Sequence, residues 1–176
     1  AEKLECEGVL RPAEISNDWS RDYSIFRDLF ERKIVNNLNS LIVFLRPTHP
    51  IRKISIIDSA INRFADSKEF DSLRSFKKST EIPYKMWTIE ENSIATPVVK
   101  EGAHLPVYPQ DSPRQILPQT YYQDGYVEIF PLRTPISYEN TFGDRTMGYL
   151  ISEFSQDIDY ESDVEMIKNH MLNEFK

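Results

Sequence analysis

The sequence predicts an α/β fold, a mostly parallel sheet flanked by helices, and three observations carry that expectation. LIVFL at 41–45 is a short continuous apolar run, the pattern of a strand buried on both faces. Segments with apolar residues at helical spacing stand on either side of it. GYVEIF at 125–130 and MGYLIS at 147–152 then add strands before a last amphipathic segment, so strand and helix patterns alternate along the chain.

In order, AEKLECEGVL reads as the tail of a helix, with Gly8 as its stop. RPAEIS leads into a helix over about 21–38, in which Ile25, Phe26, Leu29, Phe30, Ile34 and Leu38 recur on one face. After LIVFL, two prolines in RPTHPIR break the chain, and a second helix spans about 53–65 with Ile54, Ile57, Ile61 and Phe64 aligned. SLRSFKKS at 72–79 is a polar candidate strand. Residues 83–118 are proline-rich without long periodicity, as in a functional loop, cover or insertion. Asp124-Gly125 suits a tight turn before the GYVEIF strand. The last helix runs from about 162 to 175, with Val164, Ile167 and Met171 on one face.

The 176 residues suit one domain of ordinary size. Net charge is −7, which argues against nucleic acid or an anionic membrane surface as the main partner. Cys6 is the single cysteine, so no intramolecular disulfide can form, as suits a reducing cytoplasm. No apolar run reaches the roughly 20 residues of a membrane helix. A cytoplasmic protein is expected.

Two segments fall just after predicted strands, where ligands bind in open α/β sheets. In QDIDYESD at 156–163, Asp157 and Asp159 share a side if the chain is extended, a pattern suited to a hard cation such as Mg2+. The other reading is that Asp159 caps the last helix while Glu161 and Asp163 complement its dipole. In RPTHPIR, Arg46 and Arg52 offer guanidinium forks for a carboxylate or phosphate, and His49 has no evident nucleophile beside it. Arg114 and Gln115 add donors ahead of the third strand, where Tyr121, Tyr122 and Tyr126 read as packing residues. No role follows for His104 or His170, and phosphate-loop, dinucleotide and nucleophile-elbow motifs are absent from the sequence.

Taken in order, RPAEIS, LIVFLRPTHPIR, IPYKMW, SPRQILPQTYYQDGYVEIF and DIDYESDVE resemble the acylneuraminate cytidylyltransferases, the CMP-sialate synthetases, over nearly the whole chain. The resemblance implies a Rossmann-like nucleotidyltransferase fold, Mg2+ dependence and a homodimer built through a mid-chain segment. The implied reaction transfers CMP from CTP to the anomeric hydroxyl of a 2-keto-3-deoxy sugar acid, releasing pyrophosphate. It implies Asp157 and Asp159 as the metal-binding pair, Arg114 and Lys85 as sugar-acid contacts, and Arg11 and Ser20 as nucleotide contacts. Arg46 stands where the family commonly has Gln, His49 replaces a Ser, and Glu128 occupies the position of a sugar-site tyrosine. Those changes place Arg46 and Glu128 among the substrate-reading residues and leave open another nonulosonic acid, another sugar or another nucleotide. Relative to the family, the chain starts near the end of the second helix, without the glycine-rich loop for the CTP phosphates. A non-catalytic relative acting as a binding or assembly module is therefore the alternative reading.

Overall fold

The computed structural model describes residues 6–102 and 104–174. Its strands are β1 (Leu41–Phe44), β2 (Ser72–Lys78), β3 (Trp87–Ile89), β4 (Ala95–Pro97), β5 (Tyr121–Pro131) and β6 (Thr146–Leu150). Its helices are α1 (Asp22–Glu31), α2 (Ile54–Ala65), α3 (Arg133–Tyr138) and α4 (Glu161–Glu174). The expected helix tail at the start lies mostly outside the described residues, and 6–10 have no regular structure.

The architecture is α/β, and the main sheet is mixed rather than mostly parallel. Its order is β1-β5-β2-β6. β5 runs antiparallel to both β1 and β2, while β2 and β6 are parallel. It follows that β1, β2 and β6 share a direction and β5 alone is reversed. A buried apolar run does not encode strand direction, and in this sheet the strand buried on both faces is β5, not β1. Along β5, Val127 and Ile129 join Ala60 and Phe64 of α2, Leu73 of β2 and Met147 of β6 in one core. Phe130 packs on the opposite face with Phe26 of α1 and Leu132. Phe26 meets both Phe44 and Phe130 edge-on, at centroid distances of 5.3 and 4.9 Å, so truncating it to Ala costs about 3–5 kcal/mol. β1 pairs only with β5 in the described sheet and is partly exposed.

Three local departures stand out, and two of them have a physical cause. α1 stops short of the expected 38 because Lys33 adopts φ 57°. There Lys33 N–H donates to Phe30 O at 3.0 Å and Ile34 N–H to Leu29 O at 2.9 Å, a Schellman stop without glycine. The 83–118 segment contains a β3–β4 hairpin separate from the main sheet. Asp124-Gly125 lies inside β5 as a bulge, not in a turn before it. Arg74 faces Glu128 and Phe76 faces Gln123, so Ser75 alone spans what residues 124–127 fill on β5. Gly125 takes φ 71° there, and the Ser75 hydroxyl accepts from Val127 N–H at 3.0 Å, replacing a lost ladder bond.

Candidate functional site

The loops after β1 and β6 meet the bulge of β5 at one end of the sheet. Ile158 N–H donates to Thr48 O at 2.9 Å, tying QDIDYESD to RPTHPIR. A side chain at Gly125 would begin 3.4 Å from Asp157 Oδ2 and 3.8 Å from Arg46 Cδ, so these two residues flank the glycine. The half-buried Asp157 accepts its own neighbour's Ile158 N–H on Oδ1, at 3.1 Å. Asp159 is exposed. It does not cap the last helix through its side chain. Asp163 does so from within the first turn, with Oδ2 accepting from Asp159 N–H at 3.0 Å and Tyr160 N–H at 2.8 Å.

Beside this lies an arginine–carboxylate cluster on the α1 face of the sheet. Glu128 is only 1% exposed, and its Oε1 accepts from Arg46 Nη2 at 2.9 Å, Arg46 Nε at 3.2 Å and Gln123 Nε2 at 3.2 Å. Arg74 Nη2 stands 2.9 Å from Glu128 Oε2, close enough for an ion pair but without the angle of a hydrogen bond. Arg46 Nη2 also donates to Asp22 Oδ2 at 2.6 Å, at the start of α1. Burial acts to lower the Arg46 pKa, but its bonds to Asp22 and Glu128 prevail and hold it above the ordinary value. The more enclosed Arg74 is pushed below the ordinary value by burial, against the Glu128 charge. A cleft of about 300 Å³ opens on Arg74 between Ser20–Tyr23 and Asn140–Phe142. The Ser20 hydroxyl is buried in that cleft wall without a hydrogen-bond partner among the described residues.

The predicted site residues thus divide. Arg46 and Glu128 contact each other, Ser20 borders the same cluster, and Asp157 stands across Gly125 from Arg46. Sequence reading offered Glu128 to a ligand, but the fold turns it inward: as a cross-strand partner of both Arg74 and Phe44, it is spent on arginines. Arg52 is likewise not a free anion fork. Its guanidinium donates to the carbonyls of Tyr126 at 2.7 Å, Arg46 at 2.8 Å and Gly125 at 3.3 Å, and to that of His49. Arg11 lies ahead of α1, Lys85 and Arg114 lie toward opposite ends of the 83–118 segment, and each of the three bonds locally. Arg11 donates to Ile15 O, Lys85 Nζ to Gln110 O, and Arg114 to Thr80 O and Glu81 Oε2. Arg114 borders a second cleft of about 530 Å³ with Lys78, Ser79 and Gln119. Its exposed pairing with Glu81 is worth about 1 kcal/mol or less, so an incoming carboxylate can displace it.

Asp22, Arg74 and Asp124 were missed by sequence reading. They stand out only once β5 is placed between β1 and β2. Among the described residues, no group of three His, Cys, Asp or Glu side chains is placed to hold a metal ion. None of the described helices is long and apolar enough to cross a membrane. No family model and no curated protein sequence matches this chain.

Proposed function

We propose that this chain carries the site of a Mg2+-dependent cytidylyltransferase that transfers CMP from CTP to a 2-keto-3-deoxy sugar acid. One observation carries the reading. Asp157, Gly125 and Arg46, from three of the motifs that make up the family resemblance, converge at the end of the sheet where β1 and β6 finish. Three strands in one direction beside one reversed strand are compatible with a Rossmann-like nucleotidyltransferase sheet.

Asp157 and Asp159 would hold the cation. When bound with the triphosphate, Mg2+ supplies positive charge against the charge developing on the α-phosphoryl oxygens. The sugar's anomeric hydroxyl forms the new bond to the α-phosphorus, the bond to pyrophosphate breaks, and one of the two aspartates accepts the hydroxyl proton. Arg114, beside its open cleft, binds the sugar carboxylate, with Lys85 on the same proline-rich segment. Ser20, with an unused hydroxyl in a cleft wall, and Arg11 contact the nucleotide. Arg46 reads the substrate from a position set by Glu128. A homodimer is part of the proposal. The β3–β4 hairpin presents Trp87 at 50% and Ile89 at 75% exposure, apolar surface suited to a second copy.

The decisive assay is pyrophosphate release from CTP and Mg2+ across a panel of 2-keto-3-deoxy sugar acids, with UTP and GTP in parallel. Release with CTP and one acid is the expected result. Release with another nucleotide would redirect the reading within the same chemistry. Silence across the panel would leave the binding-module reading in its place.

A further inference from the structure

Three side chains far apart in sequence make a buried chain between the two loops of the site. His49, fully buried, places Nε2 2.6 Å from Ser155 Oγ, and Ser155 donates at 2.7 Å to Asp124 Oδ2. A serine hydroxyl has one hydrogen, and here it goes to the Asp124 carboxylate. The contact with His49 must then run the other way, so Nε2 carries the proton and donates to Ser155. A neutral His49 is therefore the Nε2–H tautomer, and Nδ1 has no hydrogen-bond partner among the described residues. This order is not that of a hydrolytic triad, because the serine, not the histidine, is the central member and its hydrogen points away from the imidazole.

We propose that His49 and Ser155 are positioning residues for Asp157, an inference that rests on the reading of Asp157 as a cation ligand. Ser155 lies two positions before Asp157, and its carbonyl also accepts from Lys77 Nζ at 3.3 Å. Asp124 lies next to Gly125, whose missing side chain leaves room for Asp157 Oδ2. The Asp124 Oδ1 atom accepts from Tyr126 N–H at 3.2 Å, and the Tyr126 ring packs edge-on to His49 at 5.2 Å. The chain thus fixes the segment before Asp157 to the bulge and to the β1 loop at once. The Ile158 N–H bond to Thr48 O closes the same junction just after Asp157. Without the Ser155 hydroxyl, the segment before Asp157 would keep the Lys77 bond to its carbonyl but lose its ties to the bulge and to the β1 loop.

The test uses the full chain with four forms: wild type, Ser155→Ala, His49→Gln and His49→Asn. Gln carries its amide donor near the position of Nε2, whereas Asn ends too short to reach Ser155. Amide hydrogen exchange at Ile158 is expected to quicken about tenfold or more in Ser155→Ala and His49→Asn, relative to Phe130 in the core, and to stay near wild type in His49→Gln. Mn2+ titration with CTP present, read as broadening of the Asp157 and Ile158 amide signals, is expected to need about tenfold more metal in the first two variants. Unchanged exchange in Ser155→Ala, or equal Mn2+ dependence in all four forms, would overturn the positioning role. Absence of broadening in the wild type would instead remove the cation reading of Asp157, and the positioning role toward it would go too. Exchange at Ile158 would then still report whether the loops are locked.

Discussion

Arg46 and Glu128, 82 residues apart in sequence, meet at 2.9 Å, with the glutamate sealed inside the sheet face and the arginine side chain still 28% exposed. The glutamate holds a second arginine, Arg74, through its other oxygen, and Arg46 holds a second carboxylate, Asp22. Two positive and two negative groups therefore offset one another around a buried centre. Such a centre is costly to break from one side, because the remaining charges keep their burial and lose their partner.

Glu128→Ala is accordingly expected to destabilise the fold by about 3–5 kcal/mol, since it leaves Arg46 and Arg74 facing one another. Glu128→Gln should cost less, as its amide oxygen still accepts from Arg46. Denaturant unfolding of both variants measures this. A loss below about 1 kcal/mol for the alanine variant would mean that water or Asp22 compensates both arginines.

Asp157→Asn is expected to lower turnover by about a hundredfold or more while leaving stability nearly unchanged. The asparagine oxygen can still accept from Ile158 N–H, so the loop keeps its shape and loses only charge. Rates from the pyrophosphate assay, set beside melting curves, separate the two effects. Near-normal turnover would remove Asp157 from the chemistry.

The bounds of α2 were legible almost to the residue because apolar spacing from Ile57 to Phe64 faces the core, although Ile54, aligned with them in the sequence, is 76% exposed. α1 was overrun because its stop depends on Lys33 in a left-handed conformation, and sequence signals favour Gly or Asn there. The bulge at Gly125 read as a turn because Asp-Gly marks both, and only pairing with β2 distinguishes them. In the candidate site, the meeting of the β1 and β6 loops followed from their positions after strands. The roles of Glu128 and His49 did not. Their partners lie 82 and 106 residues away, and nothing local marks a buried charge or histidine as already satisfied.

Gly125→Ala should cost about 1–2 kcal/mol from backbone conformation alone, given its φ of 71°. The added methyl would also stand in van der Waals contact with Asp157 Oδ2, at 3.4 Å. The expected signature is a loss of activity larger than the loss of stability, because the strained backbone and the new methyl both lie against Asp157. Equal effects on both would make Gly125 a folding position only.

Trp87→Glu should shift a dimer toward monomer without unfolding the main sheet, since the β3–β4 hairpin is a separate sheet. Sedimentation velocity over a concentration series measures the change. A wild type that stays monomeric at the highest concentration, or a variant that sediments as the wild type does, would remove the hairpin from the interface.

His49 supplies a pH prediction with a defined sign. Burial first, then the Arg52 charge, hold its imidazole below the ordinary 6.5, while Asp124 and Asp157 pull in the opposite direction. A depressed histidine pKa means that the unfolded chain binds the proton more readily than the folded one. The stability tied to His49 is therefore fully present above pH 6.5, falls as pH drops from there toward the folded-state value, and levels out below it. His49→Gln keeps the donor to Ser155 and cannot titrate, so its denaturation midpoint should fall less steeply than that of the wild type across this window, while the two curves run parallel at higher pH. Parallel curves throughout would mean that His49 takes up its proton as easily folded as unfolded, and its buried contact with Ser155 would then have to tolerate a charged imidazole.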